Sequence, residues 1–303
     1  MGKPFRGIFS IAYTPFDEGS NLLFDDLGRI CDWVARSGAH GLVWPVMASE
    51  FTVIAYPERV RGMRLAVQAV AGRIPVVIGV HDVSKAGAVA LAEEAAKAGA
   101  DAVIAMPPWG TKMENRDLIE EYYRAIAEAA GVPVIVQNAG APLGSALPGA
   151  YVVELCEKVP LVQYLKEEKP PQGHAVSEVI NLGGPNLKGV FSGAACFWII
   201  PEYRRGVCGN MPGSYIPDVD AQIWDLLEAG SEVEARRIHN AKLVLENSMR
   251  SMGYPQVAKE ILRRRGIISF AAARHLNRLQ MDKEDIAELE YGLSVVAPYL
   301  RAP

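Results

Sequence analysis

A single lysine ends a strongly apolar run, and it is the residue of this sequence with the clearest chemical potential. Lys166 follows residues 161–165, Leu-Val-Gln-Tyr-Leu, which is typical of a buried strand. Burial disfavours the charged ammonium, and a neutral amine attacks carbonyl carbons. The same lysine could instead pair with Glu50 or Glu168 as a buried ion pair. The residues alone leave both interpretations open.

Metal and phosphate chemistry have weaker support. The five histidines show no HxH or HxxxH spacing, and His81-Asp82 is the only candidate cluster. We interpret His81 as a hydrogen-bonded histidine at a strand end, and we predict no metal. Gly206, Gly209 and Gly213 are spread as turn residues, not as a phosphate loop. We therefore expect no cofactor.

Composition excludes several classes of partner. The chain has 303 residues, half of them apolar, and a net charge of −4, which gives no electrostatic case for binding nucleic acid or an anionic membrane. No uncharged apolar stretch is long enough to span a bilayer, and no signal peptide is evident at the start. Four scattered cysteines without CxxC spacing indicate buried free thiols in a reducing compartment. We expect a cytoplasmic protein.

Short apolar runs alternate with amphipathic segments along the first 230 residues. Continuous apolar runs are typical of buried parallel strands, and the alternation predicts a (β/α)8 TIM barrel. An open doubly wound sheet is disfavoured because no Gly-rich loop follows the first strand. Strands are predicted at 7–16, 41–46, 75–80, 102–107, 133–138, 161–168, 189–194 and 206–211, and helices at 25–37, 57–71, 84–98, 115–130, 148–158, 176–182, 197–205 and 221–229.

The remainder of the chain is helical in pattern. Helices are predicted at 231–252, 255–264 and 282–300. No Ser- or Gly-rich linker separates them from the barrel. We therefore assign 1–230 to the α/β barrel and 231–303 to a C-terminal helical extension packed on it as one structural unit.

The active site of such a barrel lies at the carboxyl ends of its strands. Polar, small and aromatic residues that the sequence places there are the candidates for substrate contacts and catalysis. They are Thr14, Ala48, Ser49, Glu50, Trp109, Gln137, Asn138, Lys166, Glu168, Ser192 and Gly193.

Several short motifs, taken in order and spacing, resemble the dihydrodipicolinate synthase / N-acetylneuraminate lyase superfamily of class I aldolases and dehydratases. The resemblance covers essentially the whole chain. It implies a Schiff base between Lys166 and the keto group of a small 2-oxo acid, and a homo-oligomer, either a tetramer or a dimer. The motifs are residues 7–16, residues 41–50 followed by Tyr56-Pro57-Glu58-Arg59, Pro107-Pro108, the strand ending in Asn138, and Lys166-Glu167.

Departures from the family pattern bear on the substrate. Residues 46–50 read Val-Met-Ala-Ser-Glu where members that make dihydrodipicolinate carry Gly-Thr-Thr-Gly-Glu. Gln137 replaces the Tyr that shuttles protons, Trp109 replaces a second relay Tyr, and an Arg expected near Pro142 is absent. These changes disfavour dihydrodipicolinate synthase, which stays an alternative.

The remaining motifs resemble a sugar-acid branch of the family. This branch contains 2-keto-3-deoxy sugar acid dehydratases and aldolases, including 2-keto-3-deoxy-L-arabinonate dehydratase. The segments that resemble it are Gln137-Asn138-Ala139, a Glu two residues after Lys166, and residues 208–212. This resemblance implies a lyase that releases either water or pyruvate. A non-catalytic protein that binds a 2-oxo acid is the alternative from another class.

The resemblance also suggests roles for individual residues. The amides of Ala48 and Ser49 and the Ser49 hydroxyl are expected to hold the substrate carboxylate. Glu50 and Glu168 are the candidate proton carriers, and Glu50 could equally fix loops by accepting amide hydrogen bonds. Gln137 cannot titrate, so it is expected to bond to Lys166 or to a substrate hydroxyl.

Overall fold

The computed structural model describes residues 5–109, 115–140, 146–250, 254–274 and 280–303. Eight parallel strands close into a barrel in sequence order, which confirms the predicted (β/α)8 TIM fold with C-terminal helices. Pro142, one of the positions discussed above, lies outside the described residues. The strands are β1 (Gly7–Ile11), β2 (Gly41–Trp44), β3 (Val76–Gly79), β4 (Ala102–Ala105), β5 (Val134–Asn138), β6 (Val162–Glu167), β7 (Gly189–Ser192) and β8 (Gly209–Asn210).

The strands are shorter than the apolar runs that predict them. β1 ends at Ile11, although residues 12–16 are buried as well, and β8 has only two residues. An apolar run reports burial and not strand geometry, so it extends into the buried loops that follow each strand. The register places Gln137 of β5 opposite Lys166 of β6, and Lys166 opposite Phe191 of β7.

Eleven helices surround and follow these strands in the described residues. Ser84 and Asn115 cap helices with their side chains, and Gly99 and Gly131 end helices in the left-handed conformation that favours glycine. The helices are α1 (Phe24–Arg36), α2 (Tyr56–Val70), α3 (Lys85–Ala98), α4 (Arg116–Ala130), α5 (Gly149–Lys158), α6 (Gln172–Leu182), α7 (Ile199–Arg204), α8 (Pro217–Glu228), α9 (Glu232–Arg250), α10 (Tyr254–Arg264) and α11 (Lys283–Val296).

Two helices begin a full turn earlier than predicted. Helix α6 starts at Gln172 instead of residue 176, and α8 starts at Pro217 instead of residue 221. Proline before or within the first turn has the backbone angle that a helix start requires, and Pro171 and Pro217 occupy those positions. The correction matters because it brings Gln172 onto the first turn of α6.

The chain forms two compact units. The first comprises residues 1–6 and Pro75–Met211, and it contains β3 to β8 with α3 to α7. The second comprises Gly7–Ile74 and Pro212–Pro303, and it contains β1, β2, α1, α2 and α8 to α11. Within the second unit, α9 packs against α8, α10 and α11. The division at residue 230 stays a prediction. No helix in the described ranges is both long and apolar enough to cross a membrane.

Candidate active site

Lys166 is buried near the end of β6. Only 2% of the residue is exposed, and its Nζ lies 3.1 Å from Oε1 of Glu168. Of the two carboxylates proposed as its partner, Glu168 is the one the structure places there. A buried ammonium beside a carboxylate has an acceptor for its proton at hydrogen-bond distance, and losing that proton makes the amine nucleophilic.

Glu168 bridges the amine and an amide. Its Oε2 accepts a hydrogen bond from Nε2 of Gln137 at 2.7 Å, while its Oε1 faces Lys166. Gln137 was expected to bond to Lys166 or to substrate, and its amide nitrogen instead donates to Glu168. The buried Oε1 of Gln137 has no hydrogen-bond partner among the described residues. That oxygen is an open acceptor beside the candidate catalytic pair.

Asn138 and Glu167 fix the chain around this group. The Asn138 side chain donates to Leu147 O and to Glu167 Oε2, and its Oδ1 accepts from Leu147 N at 2.7 Å. Glu167 also accepts from Lys169 N at 2.8 Å, and burial raises the pKa of its carboxyl. The polar atoms of Asn138 are thus engaged within the protein, and its contact with substrate stays a prediction.

The segment after β7 approaches Glu168 closely. A Cβ built on Gly193 would lie 2.6 Å from Cγ and 2.8 Å from Cδ of Glu168, so glycine is needed for this approach. Ala194, Ala195 and Cys196 follow in the left-handed region, with φ of 49°, 51° and 62°. Strain of this kind persists only where the surrounding structure fixes it, often at functional sites. Trp109, four residues after the end of β4, is half-buried.

A buried polar cluster at the ends of β7 and β8 joins the predicted candidate Ser192 to residues that the sequence analysis missed. Gln172 donates to the Ser192 hydroxyl, and Asn210 Nδ2 donates to Glu202 Oε2 at 2.9 Å. Burial raises the pKa of Glu202, and hydrogen bonds from Ser192 and Asn210 partly oppose that effect. Oε1 of Glu202 and Oδ1 of Asn210 have no hydrogen-bond partner among the described residues. Glu202 lies in a predicted helix, but the short helical pattern does not indicate which face is buried.

The turn after β2 is held together by its own side chains. Thr14 Oγ1 donates to Ser49 O at 2.6 Å and accepts from Trp44 Nε1 at 3.0 Å. The Ser49 hydroxyl donates to Ala12 O at 2.7 Å, and the Ser49 amide donates to Val46 O at 2.9 Å. This corrects the expectation that both Ser49 donors are open to a carboxylate. Ser49 and Thr14 shape the turn, and Ala48, which is half-exposed, remains the candidate amide.

Glu50 takes the structural one of its two predicted roles. It has a left-handed backbone with φ of 57°, and its buried carboxylate contacts Lys259 Nζ and accepts from Arg274 N at 3.0 Å. Lys259 also donates to Ala272 O at 3.0 Å. We therefore correct Glu50 from candidate proton carrier to an anchor between the β2 loop and residues of the C-terminal helical region.

Lys166 is one of three buried lysines in the described residues, with Lys242 and Lys259. Lys242 contacts Asp220 and lies 3.6 Å from Glu246, and Tyr215 donates to Glu246. These partners are all buried in the second unit. Both additional lysines lie on helices, where the sequence pattern did not predict burial.

Histidine and cysteine side chains are the other groups that could carry metal or thiol chemistry. His81 Nδ1 accepts from Met106 N at 2.9 Å, which confirms a hydrogen-bonded histidine. In the described part of the chain, no three His, Cys, Asp or Glu side chains are grouped to hold a metal ion. The four cysteines are free and buried, and burial raises the pKa of Cys31 and Cys156 to about 12.

Comparison with known proteins decides the family. The sequence pattern of the Dihydrodipicolinate synthetase family matches residues 4–289. The chain belongs to this family. It is therefore a Schiff-base lyase of class I, as the resemblance implied.

Similar proteins within the family are named for two different activities. The chain is 29% identical over 272 residues to the L-2-keto-3-deoxyarabonate dehydratase of Azospirillum brasilense, which covers 89% of this chain and 88% of the relative. It is also 29% identical over 247 residues to the 4-hydroxy-tetrahydrodipicolinate synthase of Pelobacter propionicus, covering 81% and 83%. Identity alone therefore does not choose between the two substrates.

Solved structures share the fold. The dihydrodipicolinate synthase of Rhodopseudomonas palustris superposes with a TM-score of 0.86 at 24% identity, covering 96% of this chain and 97% of that one. The sialic acid aldolase of Ruminococcus gnavus, solved as a catalytic lysine mutant, gives 0.88 at 20% identity, covering 97% and 96%. At such identities the likeness establishes the barrel architecture.

Proposed function

We propose that this lyase acts on a 2-keto-3-deoxy sugar acid, as a dehydratase or aldolase of the 2-keto-3-deoxy-L-arabinonate type, with Lys166 as the Schiff-base lysine. The observation that carries the proposal is the bridge from Lys166 through Glu168 to Gln137. Gln137 stands where the resemblance places the proton-shuttling Tyr of dihydrodipicolinate synthases. The titratable group beside the amine is thus a carboxylate on the lysine's own strand end.

The chemistry begins with the amine. Lys166 passes one proton to Glu168, and the neutral nitrogen adds to the C2 carbonyl of the substrate. The carbinolamine loses one water and becomes an iminium, which draws electrons and makes the C3 protons acidic. Loss of a C3 proton moves an electron pair to nitrogen and gives an enamine.

Two reaction routes can follow, dehydration and carbon–carbon cleavage. In dehydration, the enamine returns its electron pair and expels the C4 hydroxyl, which takes one proton and leaves as water. In cleavage, the iminium instead accepts the C3–C4 pair after loss of the C4 hydroxyl proton, giving an aldehyde and an enamine that takes one proton at C3. In both routes, one water then hydrolyses the iminium, which releases the 2-oxo product (pyruvate, in cleavage) and frees the Lys166 amine. Glu168 is the carboxylate we propose for these proton transfers, since general acid–base catalysis requires a group at hydrogen-bond distance.

Other residues receive supporting roles in the proposal. Gln137 orients Glu168 and offers its Oε1 to a substrate hydroxyl. Ser192, Gly193 and Trp109 are proposed to line the bound substrate, and Ala48 is proposed for its carboxylate. The resemblance further supports a homo-oligomer, a dimer or a tetramer.

A second candidate is 4-hydroxy-tetrahydrodipicolinate synthase. The specific observation in its favour is the relative of that name with identity equal to that of the dehydratase. It would use the same Lys166 Schiff base with pyruvate. The lost Tyr positions argue against it.

Product analysis separates these proposals. The purified protein is incubated with 2-keto-3-deoxy-L-arabinonate, with 2-keto-3-deoxygluconate, or with pyruvate and the aldehyde partner of the synthase, and products are followed by NMR. Loss of water or release of pyruvate from a sugar acid supports the proposal and shows whether the protein is a dehydratase or an aldolase. Formation of 4-hydroxy-tetrahydrodipicolinate supports the second candidate. Turnover of none of them contradicts both candidate functions.

A further inference from the structure

A cavity of about 450 Å³ opens beside Glu168 between α6 and α7. Its size is within the range of small-molecule sites. Its walls are largely apolar, and Trp198 is 48% exposed. The lining residues are Glu168, Pro170, Pro171, Gln172, Gly173, His174, Ala194, Trp198, Pro201, Glu202 and Arg205.

Two carboxyl groups line this cavity, and they differ in their partners. Glu168 already contacts Lys166 Nζ and Gln137 Nε2. Glu202 is 1% exposed and receives Asn210 Nδ2 on Oε2, while its buried Oε1 has no hydrogen-bond partner in the residues described. A buried polar atom without a partner is costly, so a ligand that satisfies it is favoured.

The neighbours of Glu202 limit the chemistry of that ligand. Burial raises the pKa of Glu202. Asn210 already donates to Oε2, which leaves Oε1 to meet a hydroxyl group of a ligand. Arg205 lines the same cavity, and its Nη1 donates to the Ser177 hydroxyl at 2.7 Å. The cavity walls therefore hold an acidic as well as a basic side chain. A neutral tail with hydroxyl groups and an apolar carbon backbone matches these walls better than an anion does.

We propose that this cavity binds the hydroxyl-bearing tail of the 2-oxo acid, with Glu202 hydrogen bonding to a tail hydroxyl and Trp198 covering the carbon chain. The inference rests on the proposed function and deepens it. Glu168 links the Schiff-base lysine to the cavity, because it contacts the Lys166 amine and also lines the cavity. Gln172, Ser192 and Asn210 act as positioning residues that hold Glu202.

The test compares acids with and without a hydroxylated tail. Borohydride trapping rates are measured by intact mass for 2-keto-3-deoxy-L-arabinonate and for 2-oxobutyrate, and their ratio is the readout. The variants are Glu202→Leu, Glu202→Gln and Trp198→Ala. Glu157→Gln is the matched control, since Glu157 is exposed on α5. Thermal unfolding checks that each variant folds.

The expected ratio falls roughly 10- to 100-fold in Glu202→Leu, the effect of losing one strong hydrogen bond. Glu202→Gln recovers part of the loss because its amide still bonds, and Glu157→Gln keeps the wild-type ratio. If Glu202→Leu fails to fold, a fall in Trp198→Ala supports the subsite.

Two results would overturn the inference for different reasons. If the wild type traps both acids, but the ratio of the two trapping rates does not change in the Glu202 and Trp198 variants, the subsite is overturned. The proposed function then still stands. A wild type that traps neither acid overturns the proposed function and the subsite with it.

Discussion

The buried pair of Lys259 and Glu50 allows a sharp prediction about stability. Neither side chain is more than 1% exposed, and the two residues are 209 positions apart in sequence. Lys259→Met keeps an unbranched apolar side chain, one atom shorter than that of lysine, while removing the charge. The carboxylate of Glu50 then stays buried without the ammonium of Lys259, while the backbone N–H of Arg274 still donates to it.

The expected loss of stability follows from the burial of both charged groups. Removing one partner of a buried ion pair costs about 3–5 kcal/mol, because the other charge is left uncompensated. Unfolding entropy near the midpoint is about 2.1 cal/mol/K per residue, or about 0.64 kcal/mol/K for 303 residues. The variant should therefore lose about 5–8 °C in Tm.

Calorimetry or circular dichroism on purified variants measures this change. Glu50→Gln combined with Lys259→Met should lose less than Lys259→Met alone, since the double variant buries no charge. Lys158→Met is the control, because Lys158 is 43% exposed beside Glu154 and should shift Tm far less. A Lys259→Met protein whose Tm matches that of Lys158→Met would refute the reasoning.

Three further predictions follow from particular contacts. Glu168→Gln should lower kcat on the sugar acid about 100-fold or more, because the carboxylate beside Lys166 is lost; steady-state assays with Glu157→Gln as control check this, and a loss below tenfold argues against Glu168. The raised pKa of Glu202 means that the folded protein binds the proton of this carboxyl more tightly than the unfolded chain does, so the contribution of Glu202 to stability falls as pH rises above the ordinary value of 4.5. The free energy of unfolding of the wild type minus that of Glu202→Gln, measured with urea, should therefore fall across that range, and a difference that is independent of pH would count against the prediction. Ala71→Gly should stabilise the protein by about 0.5–1 kcal/mol, because Ala71 ends α2 with φ of 52°; an unchanged or lower Tm would contradict this.

The barrel was predictable because its strands are buried on both faces and read as continuous apolar runs. Lys166 stood out for the same reason, since a charged residue interrupts such a run. Lys242 and Lys259 did not, because lysine on an amphipathic helix normally faces solvent. Their burial depends on partners in distant segments, Asp220 and Glu50.

The contacts between individual side chains could not be predicted from the sequence. The carboxylate beside Lys166 proved to be Glu168 and not Glu50, although both were candidates. Ser49 was expected to offer its donors to substrate, and the 3-10 turn at Met47–Ser49 uses them instead. Glu202 is separated from Asn210 by eight residues and a helix end, so no local pattern predicts their hydrogen bond.

The most direct test of the central claim is borohydride trapping with pyruvate, followed by intact mass and peptide mapping. The three buried lysines make the mapping decisive. The account predicts one reduced adduct, carried by the peptide that contains Lys166 and absent from Lys166→Ala. An adduct that persists in Lys166→Ala, maps to Lys242 or Lys259, or never forms with any 2-oxo acid would contradict it.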